Sequence, residues 1–63
     1  MGEIERMLYV VIWHPKGKRP ETYSQWGRED AQSLIDFYEF AESETTVFDG
    51  DGNKVTSEFS FEK

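Results

Sequence analysis

A chain of 63 residues is long enough for one small domain, and the absence of cysteine excludes disulfide bonds and thiolate metal sites. The net charge of −6 disfavours non-specific binding to nucleic acids or anionic membranes and favours a basic partner. The charge is uneven, since residues 1–20 hold four basic and two acidic side chains, whereas residues 21–63 hold three and eleven.

Residues 1–6 are polar and predict a flexible leader, so we expect a single domain over residues 7–63. No apolar run approaches the roughly 18 residues that a membrane-spanning helix needs. Residues 8–13 are also too short for the core of a signal peptide. We therefore expect a cytoplasmic protein that has no membrane partner.

The first strong pattern is residues 7–13, MLYVVIW, whose β-branched and aromatic side chains predict a strand. Both faces of this strand are apolar. The two faces hold Leu8, Val10 and Ile12, and Tyr9, Val11 and Trp13, respectively. Such a strand is central in its sheet or has its second face covered, and the pattern leaves open which face meets a helix.

Two prolines and a glycine within residues 14–20 end this strand and predict a loop. The polar and aromatic side chains that alternate over residues 21–26 then predict a second strand, antiparallel to the first.

A helical period runs through residues 29–41, EDAQSLIDFYEFA. Four apolar side chains lie on one face at positions i, i+3, i+4 and i+7, namely Ala31, Leu34, Ile35 and Tyr38. Gly27 is a suitable cap and Arg28 a suitable first residue. On this period Phe37 widens the apolar face, and Phe40 lies on the polar side unless the last turn is bent or covered.

Three further segments follow the helix. Residues 45–48 predict a short strand, residues 49–53 a turn, and residues 54–61 a strand with alternating apolar and polar side chains. The order β-β-α-β-β predicts an α+β fold, in which one helix packs on one face of a small, mostly antiparallel sheet.

The turn sequence DGDGN resembles the opening of an EF-hand calcium loop, with Asp49, Asp51 and Asn53 at the first three ligand positions. Lys54 stands where that loop needs glycine, and Ser60 stands where it needs a bidentate glutamate. We therefore interpret these residues as a hairpin turn and predict no metal site.

The single histidine, His14, has no recognisable partner that would orient it as a catalytic base. We predict no catalytic residue and no cofactor. Lys16, Lys18 and Arg19 could contact an anion or a nucleic acid. No phosphate-binding pattern surrounds them, so a solvated loop is the preferred interpretation.

Ten aromatic side chains are more than one helix on a sheet can cover, although a small core with a few exposed rings would also explain them. The alternative is an aromatic patch on the open sheet face, formed by Trp13 or Tyr9 with Trp26 or Tyr23. The acidic helix surface is a second candidate contact. The predicted partner-binding residues are Tyr9, Trp13, Tyr23, Trp26, Asp36, Glu39 and Phe40.

These features predict a small, acidic, non-enzymatic protein-interaction domain that binds a basic surface of another protein or forms a homodimer. Its size and charge suit a regulator from a phage or mobile element that acts on a host protein. The alternative is a nucleic-acid or anion contact through the loop at residues 16–19.

Overall fold

The computed structural model describes residues 7–61. The leader predicted over residues 1–6 and the last two residues of the chain lie outside this range. Its regular elements are the strands β1 (Leu8–Trp13), β2 (Glu21–Trp26) and β3 (Thr45–Asp49), the helix α1 (Arg28–Tyr38), and short 3-10 turns at Glu42–Glu44 and Thr56–Glu58.

The three strands form one antiparallel sheet with the order β2-β1-β3, so β1 is central as its apolar sequence indicates. Val11 is aligned with Tyr23 of β2 and with Val47 of β3. Together with α1 this sheet confirms the predicted α+β class, with a small antiparallel sheet and one helix.

The helix packs on the face of β1 that carries Tyr9, Val11 and Trp13. Val11 and Val47 are fully buried with Ala31 and Ile35 of α1 in one apolar core. Successive side chains of a strand point to opposite faces. Leu8, Val10 and Ile12 therefore lie on the other face of the sheet.

The start of α1 is as predicted, since Gly27 precedes the helix and its carbonyl accepts a hydrogen bond from the Ala31 N–H. The end comes three residues earlier than the periodicity indicates. Glu39 adopts a left-handed backbone (φ 57°), and its N–H donates to the Asp36 carbonyl. The Phe40 N–H donates to the Ile35 carbonyl. These two bonds form a Schellman motif, which stops the helix and reverses the chain.

This reversal is the exception allowed for Phe40, because the bent last turn takes its ring away from the polar side that a continued helix would expose. Phe40 is only 1% exposed. Its ring stacks on Trp13 at a centroid distance of 4.9 Å and on Tyr38 at 5.3 Å. The tilted ring of Tyr23 lies 5.9 Å away. Phe40 is therefore the centre of an aromatic cluster formed by Trp13, Tyr23, Tyr38 and Phe40.

The last predicted strand, residues 54–61, does not form. Lys54 makes one isolated bridge with Phe48, and the Val55 N–H donates to the Val47 carbonyl. The Val47 N–H then donates to the side-chain oxygen of Thr56 instead of a backbone carbonyl. The strand ladder ends there, because the side chain has taken the place of a backbone partner.

From this point the chain crosses to the helix layer. Phe59 is buried edge-on against Tyr9, at a centroid distance of 5.5 Å. Gln32 of α1 holds the segment at Ser60, donating to its carbonyl and accepting from its N–H, each at 2.8 Å. The residues that alternate like a strand therefore complete the core instead of the sheet.

The left-handed residue at the end of α1 gives a stability prediction. A non-glycine residue pays a steric cost in this conformation, so we expect Glu39→Gly to raise the free energy of unfolding by about 0.5–1 kcal/mol. Ser33→Gly is the matched control inside the helix, and it is expected to lower that free energy by about 0.5 kcal/mol. Urea denaturation measures the free energy of unfolding of both variants. A lower value than the wild type in both would contradict the assigned helix end.

Candidate protein-binding surface

The open face of the sheet is the side opposite α1, and it carries a contiguous set of apolar side chains. Leu8 is aligned with Trp26, and Val10 is aligned with Phe48, so each pair lies on the same face. Trp26 is 56% exposed, and the other three side chains are half-buried. The apolar open face is defined as Leu8, Val10, Ile12, Trp26 and Phe48.

Of the four aromatic residues predicted to line such a patch, only Trp26 lies on the open face. Tyr9, Trp13 and Tyr23 lie on the covered face, and Tyr9 is only 5% exposed. The predicted patch joined Trp13 or Tyr9 of β1 with Trp26 or Tyr23 of β2. Its β1 half is wrong, and only the Trp26 alternative of its β2 half lies on the open face, because the odd-numbered residues of β1 and β2 point toward α1.

Trp13 and Tyr23 are fixed by polar contacts as well as by stacking. The Trp13 indole N–H donates to the Glu44 carboxylate at 3.3 Å. The Tyr23 hydroxyl donates to the Glu21 carboxylate, and this hydrogen bond, helped by desolvation, raises the pKa of Tyr23 to about 12. Both rings are therefore parts of the folded structure and not free contact groups.

The acidic residues predicted for partner binding lie in the helix layer. Asp36 and Glu39 are exposed, and the Asp36 carboxylate accepts a hydrogen bond from Gln32 at 2.9 Å. Phe40, predicted with them, is buried and cannot contact a partner. Because α1 and the open face are on opposite sides of the sheet, one flat interface cannot use both.

The contact residues Leu8, Val10, Ile12 and Phe48 were not predicted from the sequence. The available signal was that β1 is apolar on both faces, which requires a second apolar environment beyond the one that α1 covers. The pattern could not say which face is which, since the aliphatic side chains of one face and the aromatic-rich side chains of the other both suit a buried core.

The loop between β1 and β2 presents its basic side chains to solvent. Lys16, Lys18 and Arg19 are exposed around a turn in which the Lys18 N–H donates to the Pro15 carbonyl at 3.2 Å. His14 is also exposed. A nucleic-acid or anion contact through this loop stays a prediction.

The DGDGN segment is a turn, as interpreted from the sequence. The Asp49 carboxylate accepts hydrogen bonds from the N–H groups of Asp51 and Asn53, each at 2.9 Å. The Gly52 N–H donates to the Asp49 carbonyl. The Asp49 carboxylate thus closes its own turn.

These hydrogen bonds, those from Asn53 first, lower the pKa of Asp49. Because the folded pKa is below the unfolded one, the ionised carboxylate stabilises the fold above the unfolded pKa. That contribution is lost as the pH falls through the folded pKa. We expect Asp49→Asn to lower the free energy of unfolding at neutral pH, and the difference from the wild type to vanish well below about pH 4.

Asp51→Asn is the control, because the exposed Asp51 side chain does not close the turn. Its difference from the wild type should be small at every pH. Urea titrations across the acid range measure both variants, and an Asp49→Asn difference that does not change with pH would contradict this role of the carboxylate.

Comparisons with protein-family models, with curated proteins and with solved structures found no match. Within residues 7–61, α1 is too short and too polar to cross a bilayer. Any function assigned to the chain therefore depends on the geometry of its own surfaces.

Proposed function

We propose that this chain is a small, non-enzymatic protein-interaction domain whose apolar open face binds a basic protein. The observation that carries the proposal is the row of apolar side chains on a sheet face that no element within residues 7–61 covers, with Trp26 56% exposed in it. Exposed tryptophan in a contiguous apolar patch is typical of the energetic centre of an interface.

The basic character of the partner follows from charge. The chain carries −6 overall, and the carboxylates of α1 face solvent on the side away from the open face. Because the sheet lies between these carboxylates and the open face, they do not pair with groups at the interface. They contribute a long-range field that attracts a positive surface and raises its association rate.

The proposal also covers the origin of the domain and the place where it acts. A compact acidic domain suits a regulator, of phage or mobile-element origin, that occupies a basic surface of a host protein. The domain would act in the cytoplasm and without catalysis.

The proposal is tested by affinity capture from host lysate, using the intact chain and two variants as bait. Trp26→Ala removes the exposed ring of the open face, and Phe37→Ala removes a ring of the helix layer that is more exposed still, at 78%. We expect the wild type and the Phe37→Ala variant to recover the same basic protein. The Trp26→Ala variant should recover about tenfold less of it, or less still.

Circular dichroism of each bait confirms that it is folded. The recovered amount should also fall as salt is added, because part of the attraction is electrostatic. Equal recovery by the wild type and the Trp26→Ala variant would exclude the open face as the binding site.

A further inference from the structure

The two edges of the sheet differ in whether other parts of the chain occupy their outward-pointing backbone groups. The outer side of β3 is occupied by the chain itself. The Val47 N–H donates to Thr56, the Val55 N–H donates to the Val47 carbonyl, and the Asp49 N–H donates to the Asn53 carbonyl. The outer side of β2 has no neighbouring strand within residues 7–61.

The backbone groups that point out from β2 can be identified from its pairing. The Gly27 N–H donates to the Met7 carbonyl at 2.9 Å. In an antiparallel ladder, hydrogen-bonded and non-hydrogen-bonded pairs alternate. The N–H and C=O groups of Thr22, Ser24 and Trp26 therefore point away from β1.

This edge has few of the features that protect an exposed strand. It is six residues long, has no internal proline or lysine, and carries a single charge, Glu21, at one end. An edge of this kind is able to accept another strand.

We propose that the occupant is a second copy of this chain, paired antiparallel through β2 with the twofold axis at Ser24. In this register Thr22 lies opposite Trp26 of the second copy, and Ser24 lies opposite its own equivalent. The backbone groups of all three outward-pointing residues then pair with the second copy, which gives about six hydrogen bonds between the two β2 strands. The proposal is independent of the open-face partner, because it uses the backbone edge of the sheet.

Charge selects the antiparallel orientation. The basic loop before β2 and the acidic first turn of α1 after it lie at opposite ends of the strand. Arg19 and Glu29 are each five residues from Ser24, and Lys18 and Asp30 are each six residues away. Antiparallel pairing brings the basic loop of each copy beside the acidic helix start of the other, although the net charge of each copy opposes association at long range.

The helix layer adds an apolar contact on the same side. Leu34, Phe37 and Tyr38 line a shallow hollow with Gln25 of β2, and Phe37 is 78% exposed. A twofold axis perpendicular to the sheet keeps both helices in one layer. The hollows of the two copies then face each other across the axis, and each covers the Phe37 ring of the other.

A charge-swap experiment on the full chain tests the proposal. Sedimentation velocity of the wild type should show a concentration-dependent dimer. K18E/R19E and E29K/D30K each place like charges together, so each should weaken the dimer by roughly tenfold or more. An equimolar mixture of the two variants should restore association, because opposite charges then meet at both ends of the paired strands.

Ser24→Pro supplies a second test. The Ser24 N–H points outward, so proline there removes no hydrogen bond to β1 and the monomer should stay folded by circular dichroism. The dimer should be lost. A wild type that is monomeric at all concentrations would overturn the proposal. Its β2 edge would then be left to pair only with another protein. A mixture of the charge-swap variants that associates no better than either variant alone would also overturn the proposal.

Discussion

The reversal of the chain at Glu39 is the constraint on which the structure depends. The left-handed backbone at this residue ends α1 and carries Phe40 back under the helix, where its ring stacks on Trp13 and on Tyr38. A chain with no cysteine, and with one short α-helix within residues 7–61, needs large apolar groups to stabilise a core. The aromatic cluster supplies this stabilisation at one end of the sheet, and Phe59 against Tyr9 supplies it at the other.

The same contacts determine which surfaces remain available. With Trp13 held against Phe40, the odd-numbered side chains of β1 face α1, and Leu8, Val10 and Ile12 form the apolar open face. The segment that follows Asn53 closes the outer edge of β3 before it enters the core. Within residues 7–61, the sheet leaves one face uncovered and one edge unpaired, that of β2. The two proposals use these two features separately.

The sequence predicted the features that depend on local chemistry. The apolar run of β1, the start of α1 after Gly27 and the Asp49 turn each carry their signal in adjacent residues. The α+β class follows from their order. The face of β1 that meets the helix could not be predicted, because its aliphatic side chains and its aromatic ones both suit a buried core.

Two further features were hidden for physical reasons. A helix end in the left-handed conformation is usually marked by glycine or asparagine, and glutamate at position 39 gives no such mark. Helical period therefore assigned Phe37 to the apolar side and Phe40 to the polar side, the reverse of their burial. In the last segment, the strand pattern could not show that the Thr56 side chain would replace a backbone partner and end the ladder.

The most direct test compares one substitution at two positions three residues apart. By urea denaturation at low micromolar concentration, Phe40→Ala should lower the free energy of unfolding by about 3–5 kcal/mol, enough to abolish the cooperative transition of so small a domain. Phe37→Ala should change it by about 0.5 kcal/mol or less. Equal losses, or a larger loss for Phe37→Ala, would contradict the account, because Phe40 would then not be the centre of the core.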